Sequence, residues 1–151
     1  MITAENITKK FGTFTALNNL SCKIPDGSIY GLVGSNGAGK STFLRLITGI
    51  YKPDNGKITV NGKSVYENPE VKSTFAFVPD ELYFLPQASM NRMAKLYNRT
   101  YANFNFERFN KLTKTFDLNP KANINTFSKG MKRQVSTILA LSAMPDYIFF
   151  D

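Results

Sequence analysis

Histidine is missing from this chain altogether, and cysteine occurs once in 151 residues. No imidazole is therefore available to any chemistry these residues perform. A lone Cys22 excludes an internal disulfide and a cysteine-built metal site. Alternating with Leu20 and Ile24 around polar neighbours, it reads as a small strand residue to which no chemistry is assigned. No apolar run approaches the roughly 18 residues of a membrane span, and Met1 does not open the charged, apolar and small-residue pattern of a signal peptide. The expectation is a cytoplasmic protein with neither span nor leader. Low-complexity linkers are also absent, so residues 1–151 are expected to form one domain or part of one. Lysine and arginine exceed aspartate and glutamate by 19 to 11, a formal charge of +8. These basic residues are scattered, which suits a solvated surface and leaves nucleic acid and an anionic membrane surface open.

What is present is a phosphate loop. Residues 34–42 read Gly34-Ser35-Asn36-Gly37-Ala38-Gly39-Lys40-Ser41-Thr42, a full G-x-x-x-x-G-K-[ST] pattern. Before it, Ser28-Ile29-Tyr30-Gly31-Leu32-Val33 is mostly apolar and predicts a short buried strand. After it, Phe43, Leu44 and Ile47 recur at helical spacing. Glycines let the backbone turn through positive φ and aim several N–H groups at one concavity. The helix N-terminus adds its positive dipole end. Lys40 supplies a mobile positive charge for the outer phosphates, and the Ser41 hydroxyl suits Mg²⁺ alongside phosphate oxygens and water.

The rest of the first half reads as mixed α/β. Two or three strand-like stretches fill Ile2 to Ile24 and end at Pro25-Asp26-Gly27. Gly49 is placed to stop the helix after the loop, Pro53-Asp54-Asn55-Gly56 predicts a turn before a strand over Lys57 to Val60, and Asn61-Gly62 predicts a tight hairpin. Phe75-Ala76-Phe77-Val78 is a further short strand, halted by Pro79. The second half changes period. Met90, Met93, Ala94, Tyr97 and Tyr101 share one helical face, and Phe109, Leu112 and Phe116 another, which predicts a helical region from about Ser89 to Leu118 with these stripes as core. Ser128 precedes a third helix that carries Met131, Val135, Ile138 and Leu139 inward as far as Pro145. Tyr147-Ile148-Phe149-Phe150 is an apolar strand ending in the carboxylate of Asp151.

The order of phosphate loop, helical region, Phe127-Ser128-Lys129-Gly130-Met131 and Tyr147-Ile148-Phe149-Phe150-Asp151 resembles the ATP-binding cassette (ABC) family of ATPases, from about Ile2 to Asp151. Phe127 to Met131 matches the family's Leu-Ser-Gly-Gly-Gln signature only at Ser128 and Gly130, and with Lys132-Arg133-Gln134 it looks like the exporter branch often called ABC-2 type. The resemblance implies an α/β, P-loop NTPase core with an N-terminal β subdomain and a small helical subdomain, incomplete at its C-terminus. In those terms 1–87 and 119–151 are the α/β core and 88–118 the helical subdomain of a single domain. It also implies that ATP is bound with Mg²⁺, by Gly34 to Thr42 and with metal contacts from Ser41 and Asp151. Ser128, Lys129, Gly130 and Met131 would contact the γ-phosphate held by a second ABC subunit, so that each ATP is shared across a head-to-tail dimer. A helix N-terminus with a free hydroxyl has the chemistry for that contact.

Two positions stay open under this resemblance. Phe11 stands where the family stacks an aromatic ring on adenine, and it reads equally well as strand core. Asp80, in Phe77-Val78-Pro79-Asp80-Glu81, replaces the family's metal- and water-touching glutamine; a carboxylate can ligate Mg²⁺, and Pro-Asp can equally be only a turn. Leu82-Tyr83-Phe84-Leu85-Pro86 is apolar for a loop and resembles the surface where transmembrane subunits dock. The family's catalytic glutamate, which follows the aspartate matched by Asp151, and its γ-phosphate histidine are not in this sequence. The expectation is a fragment or truncated product that binds nucleotide weakly and hydrolyses it poorly.

The implied function is the ATP-hydrolysing subunit of an exporter, peripheral at the inner membrane face through an integral permease. The alternatives are a soluble cassette acting on ribosomes or DNA, and a nucleotide-binding fragment without hydrolysis. Nucleic acid is the less favoured partner: the stretch between Lys40 and Ser128 carries no sustained heptads of the kind chromosome-type cassettes insert. A GTPase is disfavoured because Asn110-Lys111-Leu112-Thr113 lacks the aspartate that reads guanine.

Overall fold

The computed structural model describes residues 1–151 and divides them into two compact units, Met1–Ser73 and Thr74–Asp151. In the first, strands β1 (Ile2–Phe11), β2 (Phe14–Ile24), β3 (Asn55–Val60) and β4 (Lys63–Ser64) form one antiparallel sheet in the order β2-β1-β3-β4. Ile2 and Ala4 on β1 and Ile58 and Val60 on β3 are buried at period two, and Ile7 and Leu17 are buried beyond a shift in the β1–β2 register. Cys22 sits half-buried on β2, where burial pushes its thiol up from the usual range. Gly56 lies so close to β1 that an added Cβ would stand 2.3 Å from the Glu5 carbonyl oxygen, and its φ is +82°. It sits at an irregularity in the β1–β3 register, and β3 begins at Asn55, two residues before the predicted strand.

Helix α1 (Lys40–Ile47) buries Phe43, Leu46 and Ile47. It ends as expected: Gly49 takes φ +69°, donates its N–H to the Leu46 carbonyl at 3.0 Å, and Ile50 N–H reaches back to Arg45 O at 2.8 Å. The short helix α2 (Pro69–Lys72) starts on an Asn68 side-chain cap. The predicted strand over Ser28 to Val33 does not form. Residues 28–33 join no ladder, and Ile29 and Val33 are fully exposed at 104% and 95%. An apolar run becomes a buried strand only where a neighbouring strand takes up its N–H and C=O groups, and no strand of the first unit's sheet does so.

The second unit is mainly helical. Strands β5 (Phe75–Val78) and β6 (Tyr147–Phe150) pair in parallel, Phe75 opposite Tyr147 through Val78 opposite Phe150. Parallel neighbours require a crossover. Here it comprises α3 (Met90–Thr100), α4 (Phe106–Thr115), a 3₁₀ turn (Ile124–Thr126) and α5 (Lys129–Ser142). Met90, Met93, Ala94, Phe109, Ile124, Val135, Ile138 and Leu139 form its core, so both predicted stripes are core stripes, with Phe116 as an exposed end at 40%. Each long helix begins on a side-chain cap, from Ser89, Asn105 and Ser128 respectively.

Candidate functional site

The phosphate loop is shaped by two glycines that no other residue can replace without strain. Gly37 has φ +83° and Gly39 has φ +86°. A Cβ on Gly39 would lie 2.6 Å from the Ala16 carbonyl oxygen and 2.9 Å from Leu17 Cδ2, so the loop is seated directly on β2. A turn closes it from Ser35 O to Ala38 N–H at 3.2 Å, and Phe43 N–H to Gly39 O at 2.8 Å starts α1. Lys40 Nζ donates to the carbonyl oxygens of Gly34 at 2.8 Å and Ser35 at 2.7 Å. An ammonium has three protons, so one remains for an incoming anion.

The N-terminus of α1 is capped by no side chain. Its first amides belong to a helix end whose dipole favours negative charge, and the loop holds them next to Lys40. A cavity of about 470 Å³ opens there, lined by Asn36, Gly37, Gly39, Lys40, Ser41 and Thr42 and, from β2, by Phe14 and Ala16. Its size is ordinary for a small-molecule site. Among the predicted loop residues, Gly34, Ser35 and Ala38 support the loop from behind: the first two hold Lys40 and the third closes the turn.

Phe11 ends β1 and is 44% exposed, so it is not strand core. Its ring meets Tyr51 edge-on at 5.6 Å and 70°, with Lys9 Nζ 5.5 Å from its centroid. Lys9 is in turn held by Asp54 Oδ1 at 3.1 Å, while Asp54 Oδ2 accepts the Lys10 N–H at 2.6 Å. The Lys10 amide first, and the Lys9 ammonium second, hold the Asp54 carboxyl below the usual carboxylate range.

In the second unit Asp151 directly follows β6, its N–H on Val78 O at 3.0 Å. Asp80 follows β5 and pairs with Arg133 of α5, Oδ1 to Nη1 3.1 Å, while Arg133 Nη2 donates to Asp151 O at 2.7 Å. Arg133 thus ties the ends of the two parallel strands together. Ser128 Oγ accepts the Met131 N–H at 3.2 Å as the cap of α5, which leaves the hydroxyl proton to donate outward. Lys129, Gly130 and Met131 form the first turn, with Lys129 and Gly130 exposed and Met131 packed against the core. The apolar loop after Asp80 is largely claimed from within: Leu82 packs on Ala76, Val78 and Ala140, and Phe84 and Leu85 pack on the helical core. Tyr83 stands well exposed, at 78%, and Pro86 at the end of the run is exposed as well.

The donor chemistry suits a hard cation. No group of three or more His, Cys, Asp or Glu side chains is arranged to hold a metal ion on its own. Mg²⁺ here would take few protein oxygens, such as the Ser41 hydroxyl, and complete its shell from phosphate and water, which is how that ion is usually bound. Sequence reasoning missed Phe14 and Arg133. The signal for Phe14 was its pairing with Phe11 across Gly12-Thr13; Arg133 gave none, because its partners lie far away in sequence.

A family model described as ABC transporter matches residues 17–151. The chain is 30% identical over 151 residues to the ABC transporter ATP-binding protein YtrB of Bacillus subtilis (strain 168), covering 100% of this chain and 52% of that protein. It is 31% identical over 157 residues to the linearmycin resistance ATP-binding protein LnrL of the same organism, covering 100% and 50%. Among solved structures, the ATP binding subunit of an ABC transporter superposes with a TM-score of 0.89 at 25% identity, over 99% of this chain and 65% of that one. The chain spans about half the length of the curated relatives it matches.

Proposed function

This chain belongs to the ABC transporter family, and from that premise we propose that it forms the nucleotide-binding part of an ATP-hydrolysing subunit that powers export through a separate membrane-embedded permease. The observation that carries the proposal is the uncapped N-terminus of α1, held by Gly37 and Gly39 beside Lys40 on an open cavity. Its backbone donors and its cation suit a triphosphate, whose charge no other feature of the first unit would match as well.

In this reading the residues divide the work. The amides of Gly37, Gly39, Lys40, Ser41 and Thr42 cradle the phosphates, with Gly34, Ser35 and Ala38 shaping the loop behind them, Lys40 neutralises the outer ones, and Phe11 offers a ring to adenine. Ser41 and Asp151 are the groups proposed to hold Mg²⁺, which when bound draws negative charge from the phosphate oxygens. Asp80 is proposed to act near the γ-phosphate, and its pairing with Arg133 means that this role requires the carboxylate to leave or share that partner. Phosphoryl transfer to water needs positioning and charge stabilisation more than covalent chemistry, so these roles are sufficient in kind. Hydrolysis, dimerisation and export are proposed for the whole protein: Ser128, Lys129, Gly130 and Met131 would meet the γ-phosphate of a second ABC subunit, with the Ser128 proton as donor. The proposed location follows, at the inner face of the membrane through the permease. Residues 1–87 and 119–151 are proposed as one α/β core and 88–118 as its helical subdomain.

Calorimetric titration of MgATP into the wild type and Lys40→Ala tests the carrying observation. A charged hydrogen-bond donor is worth roughly 1.5–3 kcal/mol, so Lys40→Ala should bind at least about tenfold more weakly. Equal affinity in the two proteins would remove the phosphate loop from the account.

A further inference from the structure

The phosphate loop accounts for the charged end of the cavity, and its other wall is aromatic. Phe14 opens β2 and is 61% exposed, a large apolar ring held in solvent at the rim of the same cavity that Lys40, Ser41 and Thr42 line. Phe14 is fixed relative to the loop by a close backbone approach. Gly39 sits on the Ala16 carbonyl, and residues 14 and 16 lie on the same face of β2. Between the ring and the loop the only other strand residue at the wall is Ala16, which leaves the space beside Phe14 open.

Phe11 is differently placed. It is the cross-strand partner of Phe14 around the Gly12-Thr13 turn, so the two side chains share one face of the hairpin. Its ring is engaged by Tyr51 at its edge and Lys9 near its centroid, and it does not line the cavity. The Asp54 contacts to Lys9 and Lys10 hold that end of β1 in place. One ring of the pair is thus anchored to its neighbours, and the other faces the loop.

We infer that Phe14 is a second aromatic contact of the nucleotide, stacking on the base or packing on the ribose, with Phe11 as its anchored companion. The inference rests on the reading of this cavity as an ATP site. A nucleoside triphosphate has an anionic end for the loop and a flat π-face at the other, and stacking tolerates any base. Phe14 therefore supplies affinity for purine nucleotides in general and makes no choice of adenine over guanine.

The test compares ATP, GTP and inorganic tripolyphosphate binding to the full chain and to Phe14→Ala, Phe14→Leu and Phe14→Trp. Base stacking lost to alanine corresponds to about a five- to hundredfold weakening. Phe14→Ala and Phe14→Leu should lose that factor for ATP and GTP alike and keep wild-type affinity for tripolyphosphate, and Phe14→Trp should restore nucleotide affinity. Unchanged ATP affinity in Phe14→Ala, beside normal wild-type binding, overturns the inference and leaves the ATP site standing. Equal losses for ATP and tripolyphosphate also overturn it, since they assign Phe14 to loop support. A wild type that binds neither ligand overturns the ATP reading itself and the inference with it. Circular dichroism of each variant shows whether the fold is kept, which the exposure of Phe14 leads one to expect.

Discussion

Helix α1 and the long helices of the second unit begin in opposite ways. In the second, Ser89, Asn105 and Ser128 each turn a side-chain oxygen back onto an N–H of the first turn. In the first, α1 begins at Gly39 with no side-chain cap, and the chain instead uses left-handed glycines to bring the loop's backbone beside Lys40. A side-chain cap satisfies an orphan amide and stabilises the helix by about 1 kcal/mol. Leaving it out sacrifices that stability and keeps the amides for an anion. The helical unit is built to be stable, and the loop of the sheet unit is built to bind. Ser128 stands between the two cases, since a hydroxyl that accepts as a cap can still donate.

The strongest way to break the comparison is to add a Cβ where the loop rests on β2. Gly39→Val combines a left-handed φ with a contact of 2.6 Å to backbone oxygen. Strain and overpacking of this kind cost about 2–5 kcal/mol. MgATP binding should fall by about thirtyfold or more, while far-UV circular dichroism of the helices stays near wild type. The next effect should fall on the other unit alone. Ile138 is fully buried in the helical core, and Ile138→Ala should lower unfolding free energy in urea by about 2–5 kcal/mol, with ATP affinity preserved under native conditions. The smallest effect sharpens the capping argument. Ser128→Ala should destabilise by about 1 kcal/mol and leave ATP binding by a single copy unchanged, because its proposed nucleotide contact is to a second subunit.

How much of this was legible beforehand depended on whether the cause was local. Gly34 to Thr42 could be read because positive φ and close approach demand glycine at fixed spacing, and the structure has Gly37 and Gly39 in that conformation. Helices α3 to α5 could be read because their buried residues recur at helical period and their caps stand immediately before them. Ser28 to Val33 was misread because apolar composition says nothing about a partner strand, and none of the first unit pairs with it. Leu82, Phe84 and Leu85 could be read as an apolar loop, but their half-buried packing on cores formed by distant residues could not. Phe14 and Arg133 depend on contacts that only the folded chain creates.

The claim that the uncapped loop, and no capped helix, receives the triphosphate can be tested residue by residue. Backbone amide chemical shifts of the 16.9 kDa chain should be followed by ¹⁵N-resolved NMR as MgATP is added. The account predicts saturable shifts at Gly37, Gly39, Lys40, Ser41 and Thr42, with Ser128 to Lys132 unmoved in the single copy. Shifts centred on Ser128 to Lys132, with the loop amides unchanged, would contradict it.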